Sequence, residues 1–183
     1  MMAASVAGLS ALAACTTTTP GGADPAMRRQ AIDGNVDAAL ARLYEQVNGS
    51  RELVNTARGV LIFPTVVSAG FIVGASSGEG ALREAGKTTG FYRMTEGSVG
   101  LLAGAQSQAV FVLFMTPQAL DQFKASRGWT AGVDGSIALI NVGATARVDT
   151  QTVQQPITGF VLTNAGLMAN LSLNGNRFTR LDL

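Results

Sequence analysis

The stretch GEGALREAGKTTGFYR, Gly78 to Arg93, decides how this chain is read. From Ala81 it spells A-x-x-x-x-G-K-T, one residue away from the G-x-x-x-x-G-K-[ST] loop that cradles nucleotide phosphates. Such a loop works only where a buried strand leads in and a helix leads out, aiming N–H groups and the helix dipole at the phosphates. Here GASSGEG precedes it, and the alternating, aromatic Thr-Gly-Phe-Tyr follows. Neither AVFVLFMT nor SIALINVG supplies the Asp that would hold magnesium. The stretch is expected to be a hairpin, with Glu84-Ala85-Gly86-Lys87 as a turn between two strands. No nucleotide is expected.

Upstream, Gly70, Gly74, Gly78 and Gly80 share parity, so in one unbroken strand they would line a single face for close backbone packing. GVLIF (59–63) reads as a short strand stopped by Pro64, followed by strands over 69–84, 88–95, 98–108 and 109–116. SIALINVGATARVDT, ITGFVLTNAGLMANLSLNG and NRFTRLDL continue the pattern, and Asn174-Gly175 predicts a type I′ hairpin between the last two. Helical spacing appears at Ile32, Val36, Ala39, Leu40, Leu43 and Val47, after an Asp24-Pro25 start. Ser50 is expected to cap a second helix over 51–58, and Thr116-Pro117 to open a third whose inner face includes Leu120 and Phe123. The predicted class is α+β. N-terminal helices pack on a Gly-rich, mainly antiparallel, strongly curled sheet or barrel-like sandwich, with one further helix near 117–126.

Composition narrows the chemistry. The 183 residues hold 22 Gly and no His, with thirteen Lys and Arg against twelve Asp and Glu. A net charge of +1 does not suit nucleic acid, so none is expected as a partner. Without His there is no Ser-His-Asp device and no His-ligated metal, and no metal site or cofactor is expected. Cys15 is the sole thiol, so an internal disulfide is impossible.

Residues 1–15, MMAASVAGLSALAAC, are small and apolar and shorter than the roughly 20 residues that span a bilayer. They read as a secretory signal ending at Cys15. LAAC resembles the bacterial lipobox, in which the Cys becomes an acylated N-terminus. The Thr, Pro and Gly of residues 16–23 read as a flexible tether, leaving one domain over 24–183. By resemblance to bacterial sorting signals, Thr16 after the Cys favours the outer membrane.

ARGVLIFPTVVSAGFIVGASSGEGALRE, TGFYRMTEGSVGLLAGAQSQAVFVLFMTPQALDQF, WTAGVDGSIALINVG and NAGLMANLSLNG follow one another in an order that resembles the SYLF family, the Ysc-type lipid-binding domain. The resemblance runs from Ala57 to about Gly175. It implies phospholipid or phosphoinositide binding without catalysis. A phospholipid membrane is then the expected partner; an envelope protein is a second, and actin is not expected. A headgroup needs cations, and Arg83, Lys87 and Arg93 lie within eleven residues across the hairpin. They are candidate headgroup contacts or, alternatively, solvated hairpin charges beside Glu79, Glu84 and Glu96. Phe123 is read as core, whereas Trp129 is either core or membrane-facing. The chain is expected to be a non-catalytic, phospholipid-binding lipoprotein of the cell envelope that engages anionic or phosphorylated headgroups. The alternative is a structural or protein-interaction module. A carboxylate hydrolase using Glu79 and Asp134 ranks last.

Overall fold

A computed structural model of the chain describes residues 24–70, 73–99, 106–140, 154–164, 166–167 and 172–183. Cys15, the signal and the tether lie outside the described residues. Asp24 accepts from the Ala26 amide at 2.9 Å and Pro25 opens helix α1 (Pro25–Gln46), as the Asp-Pro start predicts. The periodic residues Ile32, Val36, Ala39 and Leu43 form its buried face. Helix α2 (Ser50–Thr56) differs in its cap: Gly49 precedes it in the left-handed region, and Ser50 is its buried first residue. The Ser50 hydroxyl donates back to the Val47 carbonyl at 2.7 Å, so it joins the two helices rather than capping the second.

Strands β1 (Gly59–Gly70), β2 (Val73–Glu84), β3 (Lys87–Val99) and β4 (Gln106–Phe114) come next, then α3 (Pro117–Ala125). After it run β5 (Gly128–Thr130), β6 (Ala138–Leu139), β7 (Ile157–Thr163), β8 (Gly166–Leu167) and β9 (Arg177–Leu181). They form one sheet in the order β5-β9-β3-β2-β1-β4-β7-β6, with β8 on β7. Among the strand pairs of the described residues only β6–β7 is parallel. Phe63 on β1 and Phe178 on β9 show how strongly the sheet curls. Three strand steps on a flat sheet would hold them about 14 Å apart, yet their ring centroids are 5.6 Å apart. The α+β class is as expected: three helices on a curled, mostly antiparallel half-barrel.

Both faces of the sheet are covered. On the concave face Leu61, Phe63, Leu82, Tyr92, Met94, Phe114 and Phe178 pack against α3 through Leu120 and Phe123. On the convex face Val60, Ile62, Ala81, Phe111 and Phe160 pack against α1 and α2 through Val36, Leu43 and Leu53. Double coverage is why AVFVLF is apolar without alternation. Trp129 is 3% exposed and belongs to the concave core, as does Phe123.

Pro64 does not stop β1. Between Ile62 and Thr65 the register against β2 slips by one residue, and this bulge absorbs the residue that cannot donate to the ladder. Gly80 sits opposite it, where a Cβ would lie 2.0 Å from the Ile62 carbonyl oxygen; at Gly78 a Cβ would lie 2.7 Å from that of Thr65. These two glycines do permit close packing. Gly70 does not share their strand. It ends β1 and pairs with Gly74 near the start of β2, because the chain reverses where one continuous strand was expected.

Other expectations resolve locally. The A-x-x-x-x-G-K-T stretch runs strand, two-residue turn, strand, with Ala85 (φ 47°) and Gly86 (φ 78°) both left-handed, as in a type I′ turn. At Asn174-Gly175 only Gly175 has positive φ (89°), and the Asn176 amide donates to the Leu173 carbonyl. That is the type II pattern, and β9 pairs with β3 and β5 rather than with a strand leading into this turn. Of SIALINVGATARVDT, residues 141–150 lie outside the described residues.

Candidate functional site

Helix α1 crosses the β2–β3 hairpin with a row of polar side chains facing it. Arg28 grips Glu79 with two nitrogens, Thr88 donates to Asp33 at 2.6 Å, and Arg83 donates to Asp37 at 2.8 Å and to Asp33 at 3.4 Å. Glu79 also accepts from Arg93 at 2.7 Å. The Arg28 hydrogen bond, joined by Arg93, outweighs partial burial and holds the Glu79 carboxyl below its ordinary value.

The three cations singled out in the sequence therefore do not form one cluster. Arg93 pairs across the ladder with Glu79, four residues along β2 from Arg83 and so about 13 Å away. Arg83 and Arg93 are bound to carboxylates, whereas Lys87, the first residue of β3 after the turn, is exposed with no ion-pair partner among the described residues. Sequence proximity also overlooked Arg28, Asp33 and Asp37. Their signal was present: Asp33 and Asp37 are four residues apart, hence on one helix face.

Beside Arg83 a cavity of about 310 Å³ opens between α1, α2 and the hairpin turn. Leu40, Val54, Val60 and Ile62 supply apolar wall, and Arg83, Tyr44, Asn55 and the Arg83-bound Asp37 supply polar groups. The Arg83 side chain is 17% exposed, and its Nε is buried without a hydrogen-bond partner. Burial raises the Tyr44 hydroxyl above its ordinary value, with Arg51 opposing the shift. The Arg51 guanidinium lies 4.2 Å from the Tyr44 ring centroid, a cation–π contact that keeps a second cation beside the cavity. An apolar wall next to guanidinium groups suits an amphipathic anion.

Glu79 and Asp134, the carboxylates considered for hydrolysis, are in different places and both are engaged. Asp134 accepts the Thr130 amide at 2.6 Å, closing the turn after β5.

A family model for Ysc84, described as a Las17-binding protein actin regulator, matches residues 95–182. Over these residues the chain is similar to the Ysc84 (SYLF) family, in line with the resemblance of its motifs. No curated protein matches the chain. The Ysc84 match begins within β3 and takes in α3, Trp129 and β9. Arg83, Lys87, Arg93 and the α1–hairpin cavity precede it. The match suggests a lipid- or protein-binding module.

Proposed function

We propose that the chain is a non-catalytic phospholipid-binding module of the bacterial cell envelope. The observation that carries this reading is the α1–hairpin cavity. Its apolar wall is of a kind to take acyl methylenes, each worth about 0.8 kcal/mol when buried, while Arg83 at its side meets a headgroup phosphate. Arg83 would share its donors between that phosphate and Asp37, whose side chain is 66% exposed and free to turn toward water. Lys87 at the start of β3 and Arg51 over Tyr44 add positive charge. The Ysc84 match over residues 95–182 supports a binding role.

Attachment to the membrane rests on the sequence. LAAC ending at Cys15, followed by a Thr-rich tether, supports acylation of Cys15, and Thr16 supports delivery to the outer membrane. The test has two arms. A form starting at residue 24 is expected to co-sediment with phosphatidylglycerol vesicles at low salt and to be released as salt screens the headgroups. Sedimentation no better than with phosphatidylcholine vesicles overturns the lipid reading. In cells fed labelled palmitate, Cys15→Ser is expected to abolish labelling; undiminished label removes the anchor.

One observation favours a second reading. The family description names a protein, Las17, as what its members bind. A protein-interaction module would retain an envelope protein partner under cross-linking while failing the vesicle test.

A further inference from the structure

The described cations divide into those already engaged and those without an ion-pair partner. Arg28, Arg83, Arg93 and Lys124 are in ion pairs, Arg29 donates to the Leu183 carbonyl, and Arg51 lies over Tyr44. Arg127 and Arg180 have no ion-pair partner among the described residues. Yet both line one cleft of about 480 Å³, together with Lys124, Ser126 and Asp182.

The topology forces this meeting. Strands β5 and β9 pair antiparallel, with Thr130 opposite Arg177, Trp129 opposite Phe178 and Gly128 opposite Thr179. One further step of the same register sets Arg127 against Arg180. Like charges placed directly opposite one another are destabilising. Lys124, in the last turn of α3, brings a third positive charge to the same cleft. Its ammonium is held at 2.9 Å by Glu84, so it is positioned at the cleft edge rather than swinging free. The floor is rigid. Tyr92 pairs with Arg180 across β3–β9, is 2% exposed, and its ring centroid is 5.0 Å from that of Phe123. Burial raises the Tyr92 hydroxyl above its ordinary value, and the charges acting on it are Arg180, Lys124 and Glu84, so all three lie around this floor. Ser126 accepts the Gly128 amide through Oγ at 3.2 Å, which leaves its hydroxyl proton available to donate into the cleft.

We infer that the Lys124–Arg127–Arg180 cleft is a binding site for a phosphate monoester. Two guanidinium forks and an ammonium match the oxygens of a dianion. The two carboxylates at hand, Asp182 in the lining and Glu84 on Lys124, leave the cleft with one net positive charge and both guanidinium groups free of ion pairs. The site is separate from the Arg83 cavity. It lies on the concave, α3 side of the sheet, whereas the cavity lies on the α1 side, and its three cations fall within the matched residues 95–182. A lipid headgroup and a soluble ester present this phosphate with the same chemistry.

Amide chemical shifts of the full chain in phosphatidylcholine-containing micelles test this. Phosphatidic acid is titrated in one series and glycerol 3-phosphate in the other. Saturable shifts are expected at Arg127 to Trp129 and Arg177 to Leu181. The double variant Arg127→Ala/Arg180→Ala is expected to weaken binding by about tenfold or more, the size of losing charge-assisted hydrogen bonds. Arg180→Gln alone, at an exposed and unpaired position, should weaken it in the same direction should the double variant not fold. Response to phosphatidic acid only assigns a headgroup; response to both esters at like concentration assigns the phosphate itself. Titration of the variants as wild type, or no shift at these residues with either ester, overturns the inference. Shifts confined to Ala85–Lys87 would also overturn it while leaving the Arg83 reading standing, and Arg83→Ala should leave the cleft response intact.

Discussion

Arg83 on β2 donates from Nη2 to the Asp37 carboxylate of α1 at 2.8 Å, so a cation beside the candidate lipid cavity is also the fastener between helix and hairpin. The same nitrogen reaches Asp33 at 3.4 Å, and Nη1 donates to the Gly86 carbonyl at 3.2 Å. Ligand binding at Arg83 is thereby tied to how α1 sits on the sheet.

The two ends of this pair should not weigh equally. Arg83 is mostly buried and serves several acceptors, so Arg83→Ala is expected to cost about 1–2 kcal/mol in urea unfolding. Asp37 is largely exposed, and Asp37→Ala should cost under about 0.5 kcal/mol. Equal losses would mean that the contact with Asp37 carries the fastening alone.

Acid should loosen the same helix through Glu79. Its folded carboxyl titrates below the ordinary value of 4.5, chiefly because Arg28 bonds the charged form. The unfolded chain therefore takes up the proton first as pH falls. Stability from Glu79 is fully present above pH 4.5 and is lost as pH drops below it through the folded value. Glu79→Gln is expected to be less stable than wild type at pH 6 and to converge with it in strong acid, measured by thermal unfolding across pH.

Glu96 should act with the opposite sign. Burial raises its carboxyl above 4.5, against a hydrogen bond from Ser76. The folded state then holds the proton longer, and stability falls as pH rises from 4.5 through the folded value. Glu96→Gln is expected to remove that decline, so its unfolding temperature should vary less than wild type's over this window.

Two alanine substitutions for glycine separate close packing from mere glycine content. Gly80→Ala forces a Cβ to 2.0 Å from the Ile62 carbonyl oxygen and is expected to cost about 3 kcal/mol or more, or to prevent folding. Gly97→Ala meets nothing within 4 Å and should shift stability by less than about 1 kcal/mol. In the turn, Ala85→Gly relieves a left-handed alanine and should stabilise by about 0.5–1 kcal/mol. Calorimetric unfolding of the three variants checks the order.

Residue type and short-range periodicity made much of the fold legible. Asp24-Pro25 and Thr116-Pro117 start helices because capping and the missing proline N–H are local chemistry. Glu84 to Lys87 turns because the strand pattern resumes at once on its far side. The SYLF motifs carry the family resemblance, and the phosphate-loop spelling fails locally because a loop of that kind needs a helix after it.

Pairing was decided by the tertiary structure. Whether Pro64 ends a strand or sits in a bulge depends on Gly80 opposite it, which belongs to another strand. Arg83, Lys87 and Arg93 are close in sequence, yet antiparallel geometry separates them, turning Arg83 onto α1's carboxylates and Arg93 onto Glu79 of β2. Lys124, Arg127 and Arg180 converge only because β9 returns beside β5, more than fifty residues along the chain. Helix starts and tight turns are set by groups a few bonds apart, so the sequence by itself determined them. Charge neighbourhoods depend on strand order and curl, which distant residues settle together through burial.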